Sequence, residues 1–351
     1  MHPVVFWGPG SWYHPGKWIN KACQFAYAER GARAAEVRND IPLTSTDAQR
    51  YTIRLYGEGH SHGKYNKRAA KEIYTWSKCS HPNVVKLLGL AVYRDCLAMI
   101  SPWATNGNIS SYLSNHQSAD RCRLSISICA GLAYLHENNV VHGDLKAANV
   151  LIADDGTPML TDFGNSSLHS TTLQFTETLS QPGYSLRWTA PEILRGKSGH
   201  TTAGDVYSLG MTILEVLTSE VPFPKKTDLS LYGHIVIHKK RPLRPKTIVP
   251  ERSIFGNMLW SILTSCWSYE PQLRPDSRTV WDVLITLWLL AEATDTRQAE
   301  GSRGSRGIGC GWGRDGRGVK LYQDMLRPRL FSVVAYQYVV PLATSMYRKT
   351  T

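Results

Sequence analysis

The sequence predicts an α+β fold in two lobes, a small one carrying strands and a large one made mainly of helices. Three observations predict it: strand-like apolar runs in the first half, helical periodicity from Asp205 onward, and no internal repeat. A chain of 351 residues is long enough for one such domain with a sizeable core, plus tails.

Residues 1–45 read as irregular, with Gly8-Pro9-Gly10 and His14-Pro15-Gly16 punctuating aromatic stretches. A helical pattern begins near Lys64, puts Ala69, Ile73 and Trp76 on one face and ends before His81-Pro82-Asn83. The apolar runs 84–93 and 96–103, separated by Arg94-Asp95, predict a β-hairpin. Residues 123–136 predict a long amphipathic helix, because Leu124, Ile128, Leu132 and Leu135 recur at helical spacing. Residues 150–153 and 159–161 flank Asp154-Asp155-Gly156 and predict a second hairpin. Helices follow through Leu209, Ile213 and Leu217 and again over 260–267. Residues 281–291 form the longest apolar run, too short for a membrane span and read as a buried helix. Residues 301–318, rich in Gly and Arg, predict a disordered linker, and residues 332–340 are strand-like without an identifiable partner. The chain thus divides into an irregular segment (1–45), a small lobe (46–104), a large lobe (105–292), a Gly/Arg-rich linker (293–318) and a tail (319–351).

Composition narrows the function. The apolar share of 42% fits a globular protein. No positively charged start leads into a short apolar run, so a secretory signal is not expected. The seven cysteines stand singly, without the paired spacing of a zinc site or disulfide scaffold, and read as reduced core thiols of a cytoplasmic protein. Much of the net charge of +12 lies in clusters at 64–71, 239–246 and the Gly/Arg tract. Such runs are usually solvated faces, which leaves nucleic acid at most a weak contact through the tail.

The chemistry is concentrated in His142-Gly143-Asp144-Leu145-Lys146-Ala147-Ala148-Asn149 and, further on, Asp162-Phe163-Gly164. An acid, a lysine, an amide and a second acid at this spacing are what phosphoryl transfer needs: a proton acceptor, a cation and hard oxygen ligands. Ala190-Pro191-Glu192, Asp205 and Arg274 extend the pattern downstream.

Together these motifs resemble the eukaryotic protein kinase family. The resemblance implies a two-lobed protein kinase-like fold, with ATP and Mg2+ as cofactors and proteins as substrates. It implies Asp144 as catalytic base, Lys146 near the γ-phosphate, and Asn149 and Asp162 as metal ligands. Glu72, nine positions before His81, matches the helix glutamate of the small lobe; Trp76, Leu87, His142 and Phe163 match its apolar spine. Ser101 matches the gatekeeper, and Pro102, Trp103 and Ala104 the hinge, where Pro102 and Ala104 would meet adenine through their backbones. Asp205 matches the acid that fastens the catalytic loop, and Arg274 the partner of Glu192. Ser185-Leu186-Arg187-Trp188-Thr189, Ile73-Tyr74-Thr75-Trp76 and Leu87-Leu88-Gly89-Leu90 resemble the tyrosine-kinase-like group, its fungal set in particular.

The small lobe departs from the pattern. Gly57-Glu58-Gly59-His60-Ser61-His62-Gly63 has glycines without flanking strands, and Gly311 to Gly316 matches a glycine loop in the wrong place. Tyr51-Thr52-Ile53-Arg54 puts arginine where the family has lysine, with Lys64 the weaker alternative. Gly143 replaces the arginine that usually binds an activation-segment phosphate, which implies activity without that phosphate. The expected activity is transfer of phosphate to Ser or Thr, with Tyr as the alternative. A pseudokinase scaffold is the rival reading.

Overall fold

The computed structural model of the chain describes residues 12–13, 51–56, 72–93, 96–162, 167–168 and 185–301. Lys64, Gly57 to Gly63, Phe163, the Gly/Arg tract and the tail lie outside them.

The small lobe is a four-stranded antiparallel sheet in the order β1-β2-β4-β3. Its strands are β1 (Trp12–Tyr13), β2 (Tyr51–Tyr56), β3 (Gly89–Tyr93) and β4 (Cys96–Pro102). The expected hairpin forms, with Tyr93 opposite Cys96 across Arg94-Asp95. Its first strand is shorter than the apolar run. Val84 and Val85 instead lie against the large lobe: Val84 bridges to Leu160, and the Val85 N–H donates to the Leu160 carbonyl at 2.9 Å. An otherwise open strand edge there needs backbone partners, and two buried valines supply them while adding apolar contact. Within the segment read as irregular, Trp12 and Tyr13 pair with Arg54 and Ile53 and extend the sheet. A strand does run into Gly57 from the N-terminal side, contrary to expectation.

Of the helical pattern from Lys64, residues 72–77 are described and helical, with Trp76 buried and its indole N–H donating to the Val85 carbonyl. Among the described residues the large lobe is organised on four long helices. The Arg121–Glu137 helix starts where Asp120 accepts from the N–H groups of Cys122 and Arg123, and it buries Leu124, Ile128, Leu132 and Leu135 as expected. The Thr202–Thr218 helix, capped by Thr201, is buried on nearly every face and packs on the first. A Cβ at Gly210 would lie 2.6 Å from the Trp267 indole nitrogen and 2.9 Å from the Cys266 Cβ, so only glycine permits this close helix approach. The Ile254–Cys266 helix begins six residues before the expected 260, because Ser253 caps it through the Gly256 N–H.

The Ser277–Gly301 helix buries Trp281, Leu284, Leu287 and Trp288. Its backbone stays helical through Gly301, past the expected linker boundary at 293. No helix among the described residues is long and apolar enough to cross a membrane. Cys79, Cys122, Cys129 and Cys266 are free thiols; burial pushes Cys79 up to about 11 and Cys266 up to about 12, which keeps them protonated and inert.

Candidate active site

The site is built on two short antiparallel pairs. Strand β5 (Val140–Val141) delivers the chain to His142; a single 3-10 turn, Ala147–Asn149, then leads into β6 (Val150–Ile152). Strand β7 (Pro158–Leu160) returns antiparallel, Val150 opposite Leu160, and the Thr161 N–H donates to the Asn149 carbonyl at 3.0 Å. The hairpin therefore sets Asn149 beside Thr161 and brings in Asp162, whose φ is +67°. Beyond it, β8 (Ser167–Leu168) pairs back onto β5.

Asp205, 2% exposed, holds the loop from beneath. Its Oδ2 accepts from the His142 N–H at 2.7 Å and its Oδ1 from the Gly143 N–H at 2.8 Å, while the His136 ring lies 2.9 Å from Oδ2. Burial pushes this carboxyl up, but the His136 hydrogen bond and charge and the Gly143 N–H outweigh burial and hold it below its ordinary value. Gly143 has φ +82°, a region where a side chain is strained, so glycine lets the loop reach both Asp205 oxygens. The His142 Nδ1 accepts from the Asp144 N–H at 3.3 Å, leaving Nε2 protonated to donate to the Thr161 carbonyl at 3.1 Å.

Three side chains converge on Asp144. Lys146 Nζ donates to Oδ2 at 2.9 Å, Asn149 Nδ2 donates to Oδ2 at 3.1 Å, and Ser185 Oγ donates to Oδ1 at 2.6 Å. Ser185 also accepts from Lys146 at 2.8 Å, closing a triangle. The sequence reading used Ser185 only as part of a motif; its place in the site depends on a contact 41 positions away, which no local pattern carries.

Glu215 is a second residue missed. Its Oε2 accepts from the Ala147 N–H at 3.0 Å and from the Trp188 indole N–H at 2.8 Å, tying the catalytic loop to the segment that carries Ser185. Burial pushes its carboxyl up to about 7, against those two hydrogen bonds and the Lys146 charge, which pull it down. A folded-state value above the ordinary 4.5 means that Glu215 contributes stability below pH 4.5 that is lost as pH rises through about 7. The loss is on the order of 3 kcal/mol at one pKa unit per 1.36 kcal/mol. Glu215→Gln keeps an acceptor oxygen for both N–H groups and does not ionise. Its melting temperature should match the wild type near pH 4.5 and exceed it increasingly toward pH about 8. A difference between the two melting curves that stays constant with pH would refute the assignment.

On the small-lobe side, Ser101 and Ala104 are buried and Pro102 half-buried. The segment after them is fastened to the β6–β7 hairpin: the Gly107 N–H donates to Ala104, the Ile152 N–H to Gly107, and Asn106 Nδ2 to Ala153. Residues 104–107 and the loop that carries Asp144 and Asn149 thus share one support, the β6–β7 hairpin. Glu72 is buried at 2% exposure. Arg54 lies in β2 with its backbone opposite Met99. Below the site, Arg274 grips Glu192 through two bonds of 2.6 and 2.7 Å. Arg187 donates to the Pro222, Phe223 and Lys226 carbonyls and so anchors the segment next to Ser185.

This is a two-lobed domain with a hinge above a fastened acid-lysine-amide loop. Residues 43–285 match the family model "Protein kinase domain". The chain is 27% identical over 268 residues to the serine/threonine-protein kinase STY46 of Arabidopsis thaliana, covering 75% of this chain and 44% of that protein. It is 29% identical over 226 residues to the serine/threonine/tyrosine-protein kinase HT1 of the same plant, covering 63% and 55%. Against mitogen-activated protein kinase kinase kinase A of Dictyostelium discoideum the identity is 30% over 212 residues, covering 59% and 21%. The match spans about half the length of these relatives, or less. The chain belongs to the protein kinase family, and its likenesses are to tyrosine-kinase-like members.

Proposed function

We propose that this chain transfers the γ-phosphate of ATP to Ser or Thr of protein substrates, with Mg2+ as the metal, in the cytoplasm. The observation that carries the reading is the Lys146–Asp144–Ser185 triangle, with Asn149 bonded to its acid. Asp144 accepts the substrate hydroxyl proton, and Lys146 sets a positive charge beside it for the transferred group. A lysine at that place favours Ser and Thr over Tyr.

The chain's donors fit a metal bound largely by phosphates and water. Among the described residues no three His, Cys, Asp or Glu side chains cluster into a cage. Asn149 has its amide nitrogen committed to Asp144, so its oxygen would be the atom that meets the ion, with Asp162, two positions beyond the β7 strand, as the second ligand. Two hard oxygens suffice for Mg2+, which keeps several waters. When bound, the ion neutralises charge on the phosphates. Pro102 and Ala104 would meet adenine through backbone groups, and Arg54 with Glu72 would serve the phosphates. Gly143 leaves an activation-segment phosphate without its usual arginine, consistent with activity that does not wait for one.

Arg54 also favours a second reading, a pseudokinase scaffold, because a planar guanidinium does not replace a compact ammonium. Thermal melting with Mg-ATP separates the two. Ligand bound only by the folded state raises the melting temperature, by about 2.7 kcal/mol of stability at a hundred times the dissociation constant. The wild type should shift upward with millimolar Mg-ATP, and Arg54→Lys should shift further and turn over faster. A normal melting transition with no shift in either protein would sink the enzyme reading.

A further inference from the structure

The basic run at 239–246 is not a uniform solvated face. Arg244 is used structurally, donating to the Val249 and Pro250 carbonyls, and Lys246 pairs with Glu251 at 3.1 Å. Lys239, Lys240 and Arg241 differ. They are exposed, line a cleft of about 290 Å3 below Pro191, and form no ion pair with a carboxylate among the described residues. The floor of the cleft is Tyr207 and Trp267, 3% and 1% exposed.

The basic turn is pre-shaped. The His238 N–H donates to Gly233, the Lys240 N–H donates to His234, and Lys239 adopts φ +49° with its ammonium 4.4 Å over the Tyr269 ring. A non-glycine residue in that region costs roughly 1 kcal/mol, which the surrounding bonds must hold in place. Burial first, then the charges of Lys226, His238 and Lys240, hold the neighbouring His234 imidazole below its ordinary value, so the whole turn is electropositive. Ile237 and Leu243, which flank the turn in the chain, are exposed apolar side chains.

We propose that this cleft docks an acidic segment of a protein substrate, carboxylates on Lys239, Lys240 and Arg241 and flanking apolar side chains on Ile237 and Leu243. The inference rests on the kinase reading for the word substrate, and on charge complementarity and shape for the rest. Nucleic acid fits less well. Tyr207 and Trp267 are covered, the half-buried Tyr269 ring is already faced by the Lys239 ammonium, and exposed leucine and isoleucine gain nothing beside phosphates.

The test is fluorescence anisotropy on the full chain without nucleotide, so that absent turnover leaves the result on the cleft intact. The probes are a labelled peptide of Asp, Glu, Leu and Phe, its Asn/Gln counterpart, and a single-stranded RNA. The acidic peptide should bind, weaken at roughly 0.5 M salt, and lose affinity about tenfold or more in Lys239→Glu/Lys240→Glu/Arg241→Glu. The Lys240→Glu single variant, checked for an unchanged melting transition, should show an intermediate loss. Equal affinity of wild type and triple variant for the acidic peptide would overturn the proposal. So would equal binding of the Asn/Gln peptide, or RNA as the only probe whose binding the triple variant loses.

Discussion

Asp144→Asn should reduce phosphoryl transfer by a factor of about 10² to 10⁴ while leaving the melting temperature nearly unchanged. The loss follows from chemistry: an amide cannot take up the proton of an attacking hydroxyl. Retention of the fold follows from the bonds. Asp144 Oδ2 accepts from Lys146 and Asn149, and Oδ1 accepts from Ser185. An amide can keep its oxygen toward the two nitrogens and turn its NH2 toward Ser185, whose hydroxyl accepts as readily as it donates. The backbone ties to His142 and Asp205 do not involve the substituted atoms. The measurement is incorporation of labelled phosphate from γ-labelled ATP, beside a melting curve. Equal incorporation by variant and wild type would remove Asp144 from the chemistry.

The large lobe was legible because its signals are local and long. The Arg121–Glu137 helix carries four leucine and isoleucine anchors at helical spacing, and the hairpin around Asp154-Asp155-Gly156 has a turn between two short apolar runs. The acid-lysine-amide loop was legible because its members lie within six residues of one another. What was missed depends on long-range contact. Glu215 reaches Ala147 across 68 positions, and Ser185 reaches Asp144 across 41. Val84 and Val85 read as the start of a strand, yet their backbone partner is Leu160, in the other lobe. Trp12 and Tyr13 are too short a run to signal a strand without knowledge of Arg54 and Ile53 opposite them. The basic run was legible as charge, but its concavity depends on Tyr207 and Trp267 lying beneath it.

Arg274→Ala should lower stability by about 3–5 kcal/mol, the range for breaking a buried ion pair from one side. The Arg274 side chain is fully covered and the Glu192 side chain 12% exposed. Besides its two bonds to Glu192, the guanidinium donates to the Ala203 carbonyl at 2.9 Å and, through Nε, to the Ser268 carbonyl at 2.9 Å, and it lies 5.2 Å from the Tyr207 ring centre. Truncation therefore strands a carboxylate and two carbonyls and opens a void beside an aromatic face. At roughly 2–4 °C per kcal/mol for a domain of this size, melting should fall by about 6–20 °C. Against total stabilities of about 5–15 kcal/mol, a loss of this size unfolds a measurable part of the population only when the wild type stands at the low end of that range. The cause is separable from simple loss of packing. In Glu192→Leu/Arg274→Met both charges are gone and most of the volume remains, so this double variant should melt well above Arg274→Ala. If the double variant melts no higher than Arg274→Ala, the stranded carboxylate is not the source of the loss, and the two carbonyls and the void must account for it.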